Sequence, residues 1–344
     1  MKQFKFLLIL SAGIFSLLMP SCESQDAEFP DYYYSAVYFP YQYPVRTIVL
    51  GEDIVDNTLD NDQKCEIYAT VAGVYSNDKT IGIDFVVDNS ICDNLYFDGD
   101  FVSPVVAMPS NYYALADDQI VLDKTIQGAV QVQLSDAFFA DQKSLENTYV
   151  IPLRMTNVVN ADSILSGVPA FDNPRRGASS DWDVQPKDYV LYCVKFINPY
   201  HANYLRRGVD VITENGATTT NVRHADFVEN DEIVKMTTLS LNAVNYPVSV
   251  ENQSNTPETI SLILTFDDQN KCTVSTNAEG FTASGSGMFV SEGEKNSWGN
   301  KDRSAIYLDY SIDMGGKSYS TKDTLVVRDR GVTIETFSPS FKFD

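Results

Sequence analysis

His201 and His224 are the only histidines in the chain, and they limit its acid–base chemistry. Nucleophilic catalysis of the Ser–His type needs an imidazole beside a serine and an orienting carboxylate. No G-x-S-x-G elbow is present; Gly285-Ser286-Gly287 lacks the spacing and reads as a flexible strand entry. His224 and Asp226, two residues apart, would share one face of a strand, but a surface or rim histidine is the simpler role. Besides Cys22, the cysteines Cys65, Cys92, Cys193 and Cys272 show no C-x-x-C spacing, so no zinc or redox motif is present. Cys65, Cys193 and Cys272 lie in strand-like runs, where a small buried thiol is ordinary; a disulfide is permitted but not indicated. Asp56, Asp60 and Asp62 crowd one loop without the glycine and terminal glutamate of a calcium-binding hand. Glycoside hydrolysis needs two carboxylates about 5–10 Å apart. Among 47 acidic residues such pairs arise by chance. We therefore expect no catalytic residues, no cofactor and no metal.

Holding a sugar asks for less: flat rings for the apolar face of a pyranose, with amides, carboxylates and guanidinium groups for its hydroxyls. Trp298, in EGEKNSWGNKDRS, stands among Asn296, Asn300, Lys301, Asp302 and Arg303. Trp182 occupies a similar polar setting in SSDWDVQPKD. These residues are the glycan-binding candidates; the competing role for each tryptophan is a plug in its own domain or in an interdomain seam. Tyr32, Tyr33, Tyr34, Tyr38, Tyr41 and Tyr43 offer a further platform, although packing along a first, edge strand explains them more simply.

The elements that must position these groups are strands. KCEIYATVAGVY, TIGIDFVVD, AVQVQL and TYVIPLRMTNVV alternate with a period of two between Asn/Asp turns. Pro40 and Pro44 imply edge or extended structure, and Gln127-Gly128 a bend. DAFFADQKSLEN suggests a short helix capped by Asp136, and Leu165 to Lys187 a long loop. DYVLYCVKFIN then closes a first domain, with the boundary at Asn198-Pro199. The remainder is a succession of short strands, with tight turns at Asp267–Asn270 and Met314–Lys317. Such a run suits an up-and-down barrel, which has no open edge. No internal repeat of solenoid length is visible. Tyr200-His201, Tyr204 and Arg206-Arg207 mark the barrel entry, where a structural seal is the default role; an eight-stranded interior has room for one small hydrophobic ligand, but Leu239, Leu241, Leu262, Leu264, Phe266 and Phe289 suggest a filled one.

With 47 acidic against 25 basic residues, the 344-residue chain carries a net charge of −22, which excludes nucleic acid as a partner. Its first residues read as a secretory signal: Lys2 and Lys5, then apolar Phe6–Met19, then Pro20-Ser21-Cys22. The apolar run falls short of the about 20 residues that span a bilayer. A cysteine directly after the small residue is what lipoprotein processing requires, so Cys22 is the expected lipidation site. The division expected is a signal peptide over 1–21, an acidic tether over 22–30, a sandwich over 31–198 and a barrel over 199–344.

Three phrases carry a family resemblance: DYVLYCVKFINPYHANYLRRG, GSGMFVSEGEKNSWGNKDRSAIYLDY and DTLVVRDRGVTIETFSP, together with YVIPLR after its FF…L turn. The chain resembles two-domain Bacteroidota lipoproteins of polysaccharide-utilisation loci, and its acidic tether resembles their export signal to the outer face of the outer membrane. The resemblance implies an all-β fold, an immunoglobulin-like β-sandwich followed by a calycin-like (lipocalin-type) antiparallel β-barrel, both domains of unknown function. It also implies a surface lipoprotein beside a starch-utilisation-type outer-membrane transporter and its partner lipoprotein. With the Cys22 anchor, the two β domains and the absent catalytic motifs, it leads us to expect a lipid-anchored, non-enzymatic protein that binds a glycan. A structural or adhesin-like module without sugar affinity is the other reading.

Overall fold

The computed structural model describes residues 34–252 and 254–343. The signal peptide, Cys22, the acidic tether, Tyr32 and Tyr33 lie outside the described residues.

Alternation builds the first part of the fold. In the strand Lys64–Ala72, Cys65, Ile67, Ala69 and Val71 all turn inward, as a period of two demands. Their sheet runs Ser163–Ile164, Ala36–Tyr38, Lys64–Ala72, Gln127–Leu134, Tyr113–Leu115. The facing sheet runs Glu335–Thr336, Pro44–Val49, Tyr189–Ile197, Tyr149–Val159, Thr80–Val87, Gln119–Asp123. Between them Ile83, Ile151, Leu153, Val194 and Phe196 meet the first sheet's apolar face, giving the immunoglobulin-like sandwich. Tyr189–Ile197 is almost wholly buried because its outer face is covered as well: Val150, Leu191 and Cys193 pack there against Leu95 and Phe337.

That cover corrects the expected domain limit. The expected barrel of 199–344 includes the tail, but Glu335–Thr336 pairs with Pro44–Val49, and Ser340–Phe341 pairs with Leu95–Tyr96. The outer apolar face of the sandwich supplies the reason, since Phe337 and Phe341 find their packing there.

Smaller expectations also shift. The chain reverses at Lys124–Ile126, with Lys124 at φ 54°, rather than at Gln127-Gly128, which lies inside a strand. Asp136 is not a cap; Ser135 precedes the helix Asp136–Ala140, and Asp141 caps the next turn by accepting from the Lys143 N–H. The long loop carries a two-stranded sheet, Val168–Pro169 with Trp182–Val184.

Eight antiparallel strands form the second part: Ala202–Glu214, Glu232–Ser240, Ala243–Glu251, Pro257–Phe266, Lys271–Thr276, Thr282–Glu294, Arg303–Asp313 and Lys317–Asp329. The first and last pair to close the barrel, while Ala217–Arg223 folds back along the lower half of the first. Gly285 and Gly287 lie within a strand, not at a flexible entry. A Cβ there would stand 2.5 Å from Tyr310 and 2.4 Å from Leu308, so only glycine lets the wall close. Leu262, Leu264 and Phe266 fill the interior, but Leu241 is exposed at a turn. Tyr200 stacks on Phe266 with centroids 3.6 Å apart, forming the expected aromatic seal. Arg206 sits deeper, among Asp323, Tyr246 and Tyr310. His224 falls beyond the strand end and contacts the Ala225 carbonyl rather than Asp226.

Sandwich and barrel form one compact unit from Tyr34 onward. Buried Arg330 clamps them, donating to the carbonyls of Leu50, Glu52, Asn198 and His201 at 2.6–3.0 Å. The Asn198 side chain donates to the Ser240 and Ala243 carbonyls, fixing the boundary peptide.

A candidate binding crevice at the sandwich–barrel seam

Residues 295–302 connect two barrel strands, and their sequence explains their shape. Asn296, Gly299 and Asn300 take left-handed backbone (φ 48°, 72° and 55°), which Asn and Gly accept at least cost. Asp302 closes the loop, accepting from the Asn296 N–H and from Lys295 Nζ, each at 2.9 Å. Those two donors hold its carboxyl below the ordinary carboxylate range, the backbone N–H foremost. Trp298 Nε1 donates to the Val327 carbonyl at 3.2 Å and pins the loop to the barrel wall.

On this anchored indole lies Arg303, its guanidinium carbon 3.6 Å from the ring centroid and its Nε donating to the Trp298 carbonyl. Among the described residues no carboxylate pairs with Arg303, although most of the other arginines are paired. Its remaining N–H groups are thus oriented by stacking and uncommitted.

Arg303 and Asp302 line a crevice of about 170 Å³ with Glu292, Ser304 and Arg328 from the barrel and Glu52 and Ile54 from the sandwich. Glu52 spans the seam, accepting from Ser291 Oγ at 2.5 Å and Ser304 Oγ at 2.8 Å. Beside it, Tyr307 donates to Glu294; burial and that carboxylate push the phenol up to about 12. The crevice therefore offers a fixed guanidinium, carboxylates, hydroxyls and the exposed side chain of Ile54. Those groups match a hydroxylated ligand.

Asn296, Trp298, Asn300, Asp302 and Arg303 are brought together on this loop, but their roles differ from expectation. One face of Trp298 is already occupied by Arg303, so the indole supports a donor instead of presenting a bare platform. Asn296 and Asn300 are exposed and shape the turn. Trp182 is not part of the site. It is buried, and its Nε1 donates to the Arg175 carbonyl at 2.9 Å, which overturns its expected role as a sugar platform. Glu52 and Ile54 had no signal in the sequence, because only the packing of sandwich on barrel brings them to the loop.

Cys65, Cys92, Cys193 and Cys272 are buried free thiols that burial pushes up to about 12. Buried Asp60 accepts from Arg46 and from the Val49 N–H. No group of three or more metal-ligating side chains occurs among the described residues.

Residues 199–331 match DUF5627, a domain of unknown function, and residues 32–162 match a family described as an N-terminal domain. A crystal structure from Bacteroides ovatus, of a protein of unknown function, is similar over 91% of this chain and 100% of its own, with 46% identity and a TM-score of 0.85. Two remoter structures share 12% identity. One is an auxiliary nutrient binding protein from Bacteroides thetaiotaomicron, with a TM-score of 0.36 over 85% of this chain and 95% of its own. The other is a candidate carbohydrate binding protein from Bacteroides ovatus, with a TM-score of 0.27 over 88% and 97%. At those scores neither bears on this chain. No curated protein matches it.

Proposed function

The chain belongs to the family of that Bacteroides ovatus protein, a family of unknown function with a DUF5627 second part, and on that premise we propose a lipid-anchored protein of the outer cell surface that binds a glycan. The binding site is the seam crevice, and the carrying observation is Arg303, held over Trp298 with no carboxylate partner among the described residues. A stacked guanidinium loses little freedom when it meets a ring hydroxyl, so pre-organisation favours binding. The proposal includes no reaction. The crevice presents carboxylates and hydroxyls, and no histidine is among its lining residues to activate a serine. Cys22 supplies the anchor, and an outer-membrane transporter with its partner lipoprotein is the receiving machinery.

The test is affinity electrophoresis of the mature chain through gels holding plant, host and microbial polysaccharides. Retardation by at least one, clearly weakened by Arg303→Ala at unchanged melting temperature, is the expected outcome; silence across the panel rejects it. A second reading, an interaction module without sugar affinity, draws on Ile54 and Val55, consecutive apolar residues 86% and 67% exposed. Capture of the neighbouring transporter, lost on Ile54→Asp, with no polysaccharide retarding the protein, would favour it.

A further inference from the structure

The sandwich holds a second concave site that shares no residue with the seam crevice. It arises from a change of sheet. Ala36–Tyr38 pairs with Thr70–Ala72, and then the chain crosses to the facing sheet, where Pro44–Val49 joins Tyr189–Ile197. On that side no strand pairs with residues 64–69 among the described residues. What remains is a groove of about 360 Å³ with Ile67, Val190 and Tyr192 buried in its floor. Tyr41 and Tyr68, 70% and 48% exposed, stand among its lining residues. Tyr68 donates to Glu66 at 2.5 Å, and Arg46, tied to buried Asp60, lines the same groove.

We propose that this groove binds a segment of a neutral glycan, with the rings of Tyr41 and Tyr68 against sugar faces and Glu66 and Arg46 on hydroxyls. Flat rings beside a carboxylate and a guanidinium are the groups a pyranose needs. Charge selects the neutral polymer: Asp60 neutralises Arg46, which leaves Glu66 to repel acidic sugars in a chain of net charge −22. The uncovered strand edge would otherwise suit an extended peptide. Lys64 and Glu66 guard that edge, however, and Pro40 and Pro44 opposite it lack an N–H to offer. The inference shares with the previous section only the class of ligand, and a polymer reaching both sites would bind with avidity.

The test titrates the mature chain against neutral polysaccharides (a β-glucan, a mannan, a xylan), an acidic pectin and an extended peptide library. It uses Tyr41→Ala/Tyr68→Ala, Tyr41→Phe/Tyr68→Phe and Arg303→Ala. The alanine pair should weaken neutral-polymer binding about tenfold or more, the phenylalanine pair should retain it, and melting should not change. Arg303→Ala with intact tyrosines should leave residual binding that the alanine pair removes. Binding that the alanine pair leaves unchanged overturns the groove while sparing the seam site, and loss only with Arg303→Ala does the same. Preference for pectin, or capture of peptides alone, overturns it as well.

Discussion

Two arginines, each held against an aromatic ring, divide the molecule into a part that is electrostatically closed and a part that is open. In the barrel, Arg206 lies 5.5 Å from the Tyr246 ring and bonds Asp323, whose side chain is fully buried. Asp323 also accepts from Arg223, Tyr246 and Tyr310. Burial raises its carboxyl, but Arg206 and Arg223 outweigh burial and hold it low. At the seam, Arg303 meets an indole and a carbonyl and, among the described residues, no carboxylate. A charge removed from water must have its partner built in, whereas one at a wet crevice can leave its partner to the ligand. The first kind of arginine holds a fold together, and the second is available for recognition.

The sharpest break of this contrast is Asp323→Asn, which leaves Arg206 buried beside a neutral amide. A loss of about 3–5 kcal/mol in urea unfolding is expected; a loss below about 1 kcal/mol would show that the barrel cluster is not closed as described. A second effect comes from acid. His201 accepts from the Thr238 N–H, and burial lowers its pKa from 6.5 to about 4. Between those values the unfolded chain binds more protons than the folded one, so stability falls as pH drops from 6.5 to about 4 and then ceases to depend on this group. Chemical denaturation across that range should show the slope in the native chain and a shallower one in His201→Gln. The Asp323 contribution has a separate window, full above the ordinary carboxylate value of 3.8 and lost only below it. The smallest effect on stability belongs to Arg303→Ala, expected to change unfolding by no more than about 1 kcal/mol while clearly weakening retention by polysaccharide. A large destabilisation there would make Arg303 another structural arginine and remove the distinction.

The loop at Trp298 shows how far a local reading reaches. Polar residues and glycine around a tryptophan marked the segment, and Asn296, Asp302 and Arg303 do gather there. The same reasoning failed at Trp182, where an equally polar neighbourhood hides a buried ring hydrogen-bonded to Arg175. Composition near a side chain does not say which way the chain turns to bury it. Tyr41 was visible as part of a tyrosine-rich start, but Tyr68 was not. It is the outward residue of an otherwise ordinary alternating strand, and only the early exit of Ala36–Tyr38 leaves it beside a groove.

By itself the sequence determined the all-β class, the run of barrel strands, the inward faces and the net charge. All of these depend on a period of two or on simple counts, which neighbours cannot alter. The tertiary structure decided which arginine remains unpaired, which tryptophan is buried, where the tail docks and where sandwich meets barrel at Glu52. Each of those depends on contacts between residues far apart in the chain, whose meeting no local spacing encodes.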